Sequence, residues 1–115
     1  MNLEFNATQD ILLTKVKGEM DLATAEPIRQ AIDKRLQLER SRCLLLDLSG
    51  VSFIDSSGLG VILGRYQYLQ RLGGRMALLK PAAGVKRVLE MAGIDRLMPV
   101  CESEGEAIKY LTRLK

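Results

Sequence analysis

The sequence predicts an α/β fold, a single domain in which helices pack on a mixed β-sheet. Three observations carry that prediction. The chain opens with two strand-like stretches in succession, Leu3 to Ala7 and Ile11 to Val16. Its middle reads strand, long helix, strand, from Cys43 to Leu79, and such a unit joins parallel strands through a right-handed crossover. At 115 residues and 47% hydrophobic content, the chain supports one core and is too short for two. No linker, repeat or low-complexity segment interrupts it, so the domain is expected to span residues 1–115.

The elements follow in order. Leu3, Phe5 and Ala7 alternate, Gln9-Asp10 makes a turn, and Ile11 to Val16 is a second strand closed by Gly18, together a β-hairpin. After Glu19-Met20-Asp21, Thr24 is the expected helix cap, with Pro27 in the first turn, where its missing N–H is harmless, and Ile28, Ile32 and Leu36 as the apolar row. Cys43 to Leu48 reads as a buried strand. A helix of about four turns then carries Leu59, Ile62, Leu63, Tyr66, Leu69 and Leu72 at helical spacing until Gly73-Gly74 stops it. Arg75 to Leu79 is the next strand, and Lys80-Pro81 breaks the chain. A short helix with Val85, Val88, Leu89 and Met91 ends at Gly93, and Met98 to Val100 forms a short last strand. Ser103 and Glu106 make a capping box for a final helix through Ala107, Ile108, Leu111 and Leu114.

The candidate site lies at Phe53-Ile54-Asp55-Ser56-Ser57-Gly58-Leu59-Gly60, where a strand hands over to the long helix. A helix start offers unpaired N–H groups and a positive dipole end. A phosphate on Ser56 would be held there, which makes the segment a phosphorylation switch; the plainer reading is a serine cap. Three glycines, Gly58, Gly60 and Gly64, fall within seven residues of that helix, each costing roughly 0.5–1 kcal/mol relative to alanine. Close packing on the sheet is one reason for them. The other is position: Ser56, Gly60 and Gly64 fall at i, i+4 and i+8, displaced from the apolar stripe, with Val61 and Tyr68 beside them. That row, with an exposed Val61 and Tyr68, suits another protein's backbone. In open α/β sheets sites gather at strand carboxyl ends, which places Asp21 and Asp55 near the serines. Both acids either belong to the site or brace loop backbone through N–H bonds.

Composition excludes much chemistry. The chain contains no histidine, which removes Ser-His-Asp and Cys-His catalysis, histidine metal sites and phosphohistidine relays. A net charge of +3 comes from basic residues scattered among acids, with no tryptophan for base stacking, so no nucleic-acid partner is expected. Cys43 and Cys101 lack metal spacing and read as reduced core thiols. The start Met1 to Asn6 has no signal-peptide pattern and no apolar run spans a bilayer, so a cytoplasmic protein without membrane association is expected.

Three stretches carry a family resemblance: Gly18-Glu19-Met20-Asp21 with Thr24-Ala25-Glu26, Ser52 to Tyr66 (SFIDSSGLGVILGRY), and Val85 to Gly93 (VKRVLEMAG). They resemble the anti-sigma factor antagonists with the STAS fold, over nearly the whole length. The resemblance implies a protein that is not an enzyme and is phosphorylated on the serine after the loop aspartate, here Ser56; Asp21, Asp55, Ser57 and Gly58 are the residues expected to support that site. It implies an anti-sigma factor serine kinase as partner, bound by the unphosphorylated form so that the sigma factor is freed, and a PP2C-type phosphatase that resets the switch. ATP and magnesium would belong to the kinase, and the chain would need no cofactor of its own. Members of the sporulation branch often carry histidines where this chain has Leu22-Ala23, so a stress-response antagonist is the alternative to sporulation control. Two other classes fit the sequence less well. A phosphoacceptor receiver domain needs an acid pair after its first strand and strict βα alternation, and a nucleotide-binding module needs the Walker lysine or full G-x-G-x-x-G spacing; the chain has none of these.

Overall fold

The computed structural model describes residues 2–113. A hairpin of β1 (Asn2–Thr8) and β2 (Ile11–Met20) leads into α1 (Leu22–Glu39). There follow β3 (Cys43–Ile54), α2 (Ser56–Arg71), β4 (Met76–Leu79), α3 (Ala83–Met91), a 3-10 turn at Ile94–Arg96, β5 (Val100–Cys101) and α4 (Glu104–Leu111). The five strands lie side by side in chain order, β1 antiparallel to β2 and every later neighbour parallel. The sheet is therefore mixed, as the sequence predicts.

The period-2 alternation of the strands sorts side chains onto two faces. Leu12, Leu44, Leu46, Met76 and Leu78 point to one, where they meet Ile28, Ile32 and Leu36 of α1, Ile62 and Leu69 of α2, and Val85 and Leu89 of α3. Ile11, Cys43, Leu45, Ala77, Leu79 and Cys101 point to the other and are covered by Ala107 and Leu111 of α4. Each such aliphatic side chain stabilises the fold by about 1.5–3 kcal/mol. Because β4 is buried on both faces, Met76 to Leu79 is an unbroken apolar run. Cys43 and Cys101 are free, buried thiols.

Several expectations need correction. β2 does not close at Gly18; that residue takes a left-handed φ of +97° within an irregular stretch of the strand, which continues to Met20. β3 runs six residues past Leu48, carrying Val51 and Ile54 into the core. Asp21 rather than Thr24 caps α1, so Pro27 is the sixth residue of the helix. Its missing N–H removes the usual i+4 partner of the Ala23 carbonyl, and Ala23 is exposed, which tolerates the loss. Leu72 is the C-cap of α2 and is 41% exposed, outside the buried stripe. At α4, Ser103 accepts from Glu106 N as expected, but the Glu106 carboxylate accepts from Glu102 N instead of closing the box on Ser103. Leu114 lies outside the described residues.

Candidate functional site

The extra length of β2 and β3 builds the site. Continued pairing places Glu19 opposite Phe53 and Met20 opposite Ile54, so Asp21 and Asp55 leave the sheet side by side, and Asp55 N donates to Met20 O at 3.2 Å. Each acid caps the helix that follows it. Asp21 Oδ1 accepts from Ala23 N (3.0 Å) and Thr24 N (3.1 Å), while Thr24 Oγ1 accepts from Asp21 N and donates to Glu19 O, both at 2.9 Å. Asp55 Oδ1 accepts from Ser57 N (2.8 Å) and Gly58 N (3.2 Å). Of the two readings of these acids, backbone bracing is the one the geometry displays.

This changes the serine site in one respect. The cap is Asp55, and Ser56 is the first helical residue, exposed; Ser57 behind it is half-buried. Of the helix-start N–H groups that the sequence offers a phosphate, those of Ser57 and Gly58 are held by the Asp55 carboxylate. A phosphate on Ser56 would therefore stand in solvent beside a second negative charge.

The three glycines separate into two kinds. Gly58 is buried, and a Cβ there would lie 2.4 Å from Met20 O and 2.7 Å from Ile54 Cγ1, so only glycine lets α2 approach the end of β2. At Gly60 and Gly64 a Cβ would meet nothing within 4 Å. The row Ser56, Gly60, Gly64 faces outward as predicted. Val61 and Tyr68 do not: Val61 is 4% exposed and in the core, and Tyr68 is half-buried against it. Both share the side of α2 that carries Arg65, and this side turns toward α1. The sequence shows how α2 meets the sheet but not that a second helix lies along its flank.

Arg65 Nε lies 2.8 Å from Asp33 Oδ1 of α1, and Arg65 is only 8% exposed. The approach is ionic, without a well-aligned N–H···O bond. Desolvation pulls the Arg65 pKa down and Asp33 opposes that shift. Asp33 Oδ2 also accepts from Arg29 Nη1 at 3.2 Å. Arg29 pairs in turn with Glu26, whose carboxyl its hydrogen bond holds at about 2. Sequence reasoning missed this pair, because with Val61 expected to be exposed nothing marked Arg65, four residues on, as a side chain turned toward a second helix. Two apolar side chains flank the site exposed, Leu22 at 82% and Phe53 at 50%; the sequence places Phe53 at the head of the candidate segment without giving the exposure of either.

The site is a surface. The small open cleft nearest to it, about 180 Å³, lies between Ser52–Ile54 and Gly84–Val88. A larger one of about 300 Å³ is lined by Gln9, Asp10, Arg42, Cys43 and Leu111, at the other end of the parallel strands. Among the described residues no group of three or more acids and cysteines is placed to hold a metal ion, and no helix is long and apolar enough to cross a membrane.

Residues 2–107 match the STAS domain family. The anti-sigma F factor antagonist of Paenibacillus polymyxa is 34% identical, covering 96% of this chain and 95% of that protein. The anti-sigma-B factor antagonist of Listeria monocytogenes is 31% identical over 79% of each. The anti-sigma factor antagonist SpoIIAA in its unphosphorylated form superposes with a TM-score of 0.81 at 29% identity, over 95% of both chains. The Bacillus cell fate determinant SpoIIAA in its phosphorylated form gives 0.73 at 28% identity, over 95% of this chain and 98% of that one. These relatives are regulators, and the chain, SpoIIAA-like in fold, belongs to the STAS domain family.

Proposed function

We propose that this chain is an anti-sigma factor antagonist in a partner-switching module, phosphorylated on Ser56. Unphosphorylated, it binds a serine-kinase anti-sigma factor and frees the sigma factor. The kinase, using its own ATP and magnesium, phosphorylates Ser56 and thereby loses its antagonist, and a PP2C-type phosphatase restores binding. Sporulation control is the branch favoured by the likeness to the anti-sigma F antagonist, with stress response as the alternative. The chain acts by binding and performs no catalysis.

The observation that carries this reading is the exposed Ser56 hydroxyl at the head of an open glycine row, with Phe53 and Leu22 exposed at the same end of the domain. A flat strip of backbone edged by apolar side chains fits a protein partner, and a hydroxyl at its head is the one place where a small modification reaches the whole contact. The other hydroxyls nearby are less available: Ser57 is half-buried and Thr24 already donates to Glu19 O. A phosphate on Ser56 adds roughly −2 charge next to Asp55, so it repels the partner while the Asp55 cap keeps the helix start in place. Peptide mass mapping after treatment with a serine-kinase anti-sigma factor from the same genome, with ATP and magnesium, tests the assignment. Phosphate on Ser56 is expected, and phosphate on Ser57 or Thr24 would overturn it.

A further inference from the structure

We propose that the Asp33–Arg65 ion pair is a positioning element for partner recognition, fixing α2 against α1 so that the Ser56, Gly60, Gly64 row is presented in one register. The inference rests on the partner-facing reading of that row. Apolar contact is non-directional, and α1 and α2 share one apolar cluster on this face of the sheet, with Ile28, Ile32 and Leu36 from α1 and Val61, Ile62 and Leu69 from α2 buried in it. Sliding one helix along the other offers similar apolar partners again. A charge does not permit that.

Arg65 is the one buried charged side chain among the described residues, and its counter-ion is across the seam at 2.8 Å. The pair is buried at Arg65 and partly open at Asp33, whose side chain is 27% exposed; an ion pair withdrawn from water to this degree seldom stabilises a fold more than apolar residues of the same volume, and its best-attested use is to specify register. Both partners are themselves tied down. Asp33 is held by Arg29 from its own helix at 3.2 Å, and Arg65 Nη1 approaches Val61 O of its own helix at 3.4 Å. At the other end of the row, Gly58 sits so close to Met20 O that a Cβ would lie 2.4 Å away, so the start of α2 has no slack. Gly58 and Arg65 are seven residues apart, about 10 Å along the axis. Two fixed points set the direction of a helix, the apolar face of α2 packed on the sheet limits its rotation, and Gly60 and Gly64 lie between the two points.

The test is the apolar double variant Asp33→Leu/Arg65→Met, compared with the natural protein by melting temperature, amide NMR and affinity for a serine-kinase anti-sigma factor from the same genome. The expected result is a melting temperature at or above that of the natural protein, more than one set of amide signals for Ser56 to Gly64, and at least tenfold weaker binding. A single, unshifted set of signals overturns the proposal whatever the affinity, since a loss of binding without rearrangement marks a direct contact instead. Should the double variant fail to fold, Asp33→Asn keeps the shape and removes the charge; extra signals with about threefold weaker binding support the proposal, and an unshifted set overturns it. The NMR readout needs no partner, so failure of the natural protein to bind the kinase counts against the proposed function and leaves this inference to be decided by the signals.

Discussion

Alanine at each of the three α2 glycines separates their roles. Gly60 and Gly64 have helical backbone and open space at the Cβ position. Alanine there restricts the unfolded chain and favours the helix, so each substitution should stabilise by about 0.5–1 kcal/mol. For a domain of this length that is a rise in melting temperature of about 2–4 °C each. At Gly58 the same methyl would collide with Met20 O at 2.4 Å and Ile54 Cγ1 at 2.7 Å. The struck carbonyl is the one that accepts from Asp55 N, so it cannot yield without disturbing the cap. Overpacking of this kind costs about 1–3 kcal/mol, which less the helix gain leaves a loss of up to about 2.5 kcal/mol and should lower the melting temperature by up to about 10 °C. Thermal unfolding followed by circular dichroism measures all three, and calorimetric titration against the kinase adds the functional half. Gly60→Ala and Gly64→Ala should bind more weakly although they are more stable, because the methyls hold the partner's backbone away. A Gly60→Ala or Gly64→Ala protein less stable than the natural one, or an unperturbed Gly58→Ala protein, would refute the assignment of the row.

Three further outcomes follow. Asp55→Ala removes the acceptor for Ser57 and Gly58 N–H and should cost about 1 kcal/mol, with faster amide exchange confined to the start of α2; unchanged exchange there would contradict the cap. Gly60→Glu should keep the fold and lose kinase binding, whereas Val61→Asp, which buries a carboxylate in the core, should fail to fold; circular dichroism of the pair distinguishes the outward row from the buried flank. The Glu26 carboxyl, held at about 2 against an ordinary value of 4.5 by the Arg29 hydrogen bond, contributes stability that is present above pH 4.5 and disappears as the pH falls toward 2. Carbon-detected NMR titration should find the Glu26 carboxyl protonating near 2, and a midpoint near 4.5 in the natural protein would refute the pairing.

Much of the fold was legible because local chemistry and tertiary environment agree. Met76 to Leu79 is apolar throughout and buried throughout, and Gly73 takes a φ of +74° where the sequence predicts a helix stop. The misreadings arise where one residue serves two structural uses. Gly18 resembles a strand terminator because its conformational freedom suits a turn, yet here it accommodates a strand irregularity, and the two residues of β2 beyond it bring Asp21 beside Asp55. Ser49 and Gly50 resemble the end of a strand because they are small and polar, although Val51 resumes the buried alternation. At the site itself, the outward turn of Ser56, Gly60 and Gly64 follows from helical geometry alone. The burial of Val61 and Tyr68 does not, because it depends on α1 lying along α2, and a single helix's pattern carries no record of its lateral neighbour. Nor does the order Asp55, Ser56 say which residue caps. An aspartate and a serine are comparable caps, and the choice settles whether the first free N–H groups await a phosphate or are already paired.

The central claim is that charge at Ser56 abolishes partner binding by repulsion while the domain stays as it is. The most direct measurement compares Ser56→Asp and Ser56→Ala with the natural protein, by affinity for the kinase in the presence of ADP and by melting temperature. Ser56→Ala should bind like the unphosphorylated protein, and Ser56→Asp should bind at least tenfold more weakly while melting within about 2 °C of it, since the new carboxylate is exposed at a helix N-terminus. Natural affinity in Ser56→Asp, or loss of affinity accompanied by a large drop in melting temperature, would contradict the account.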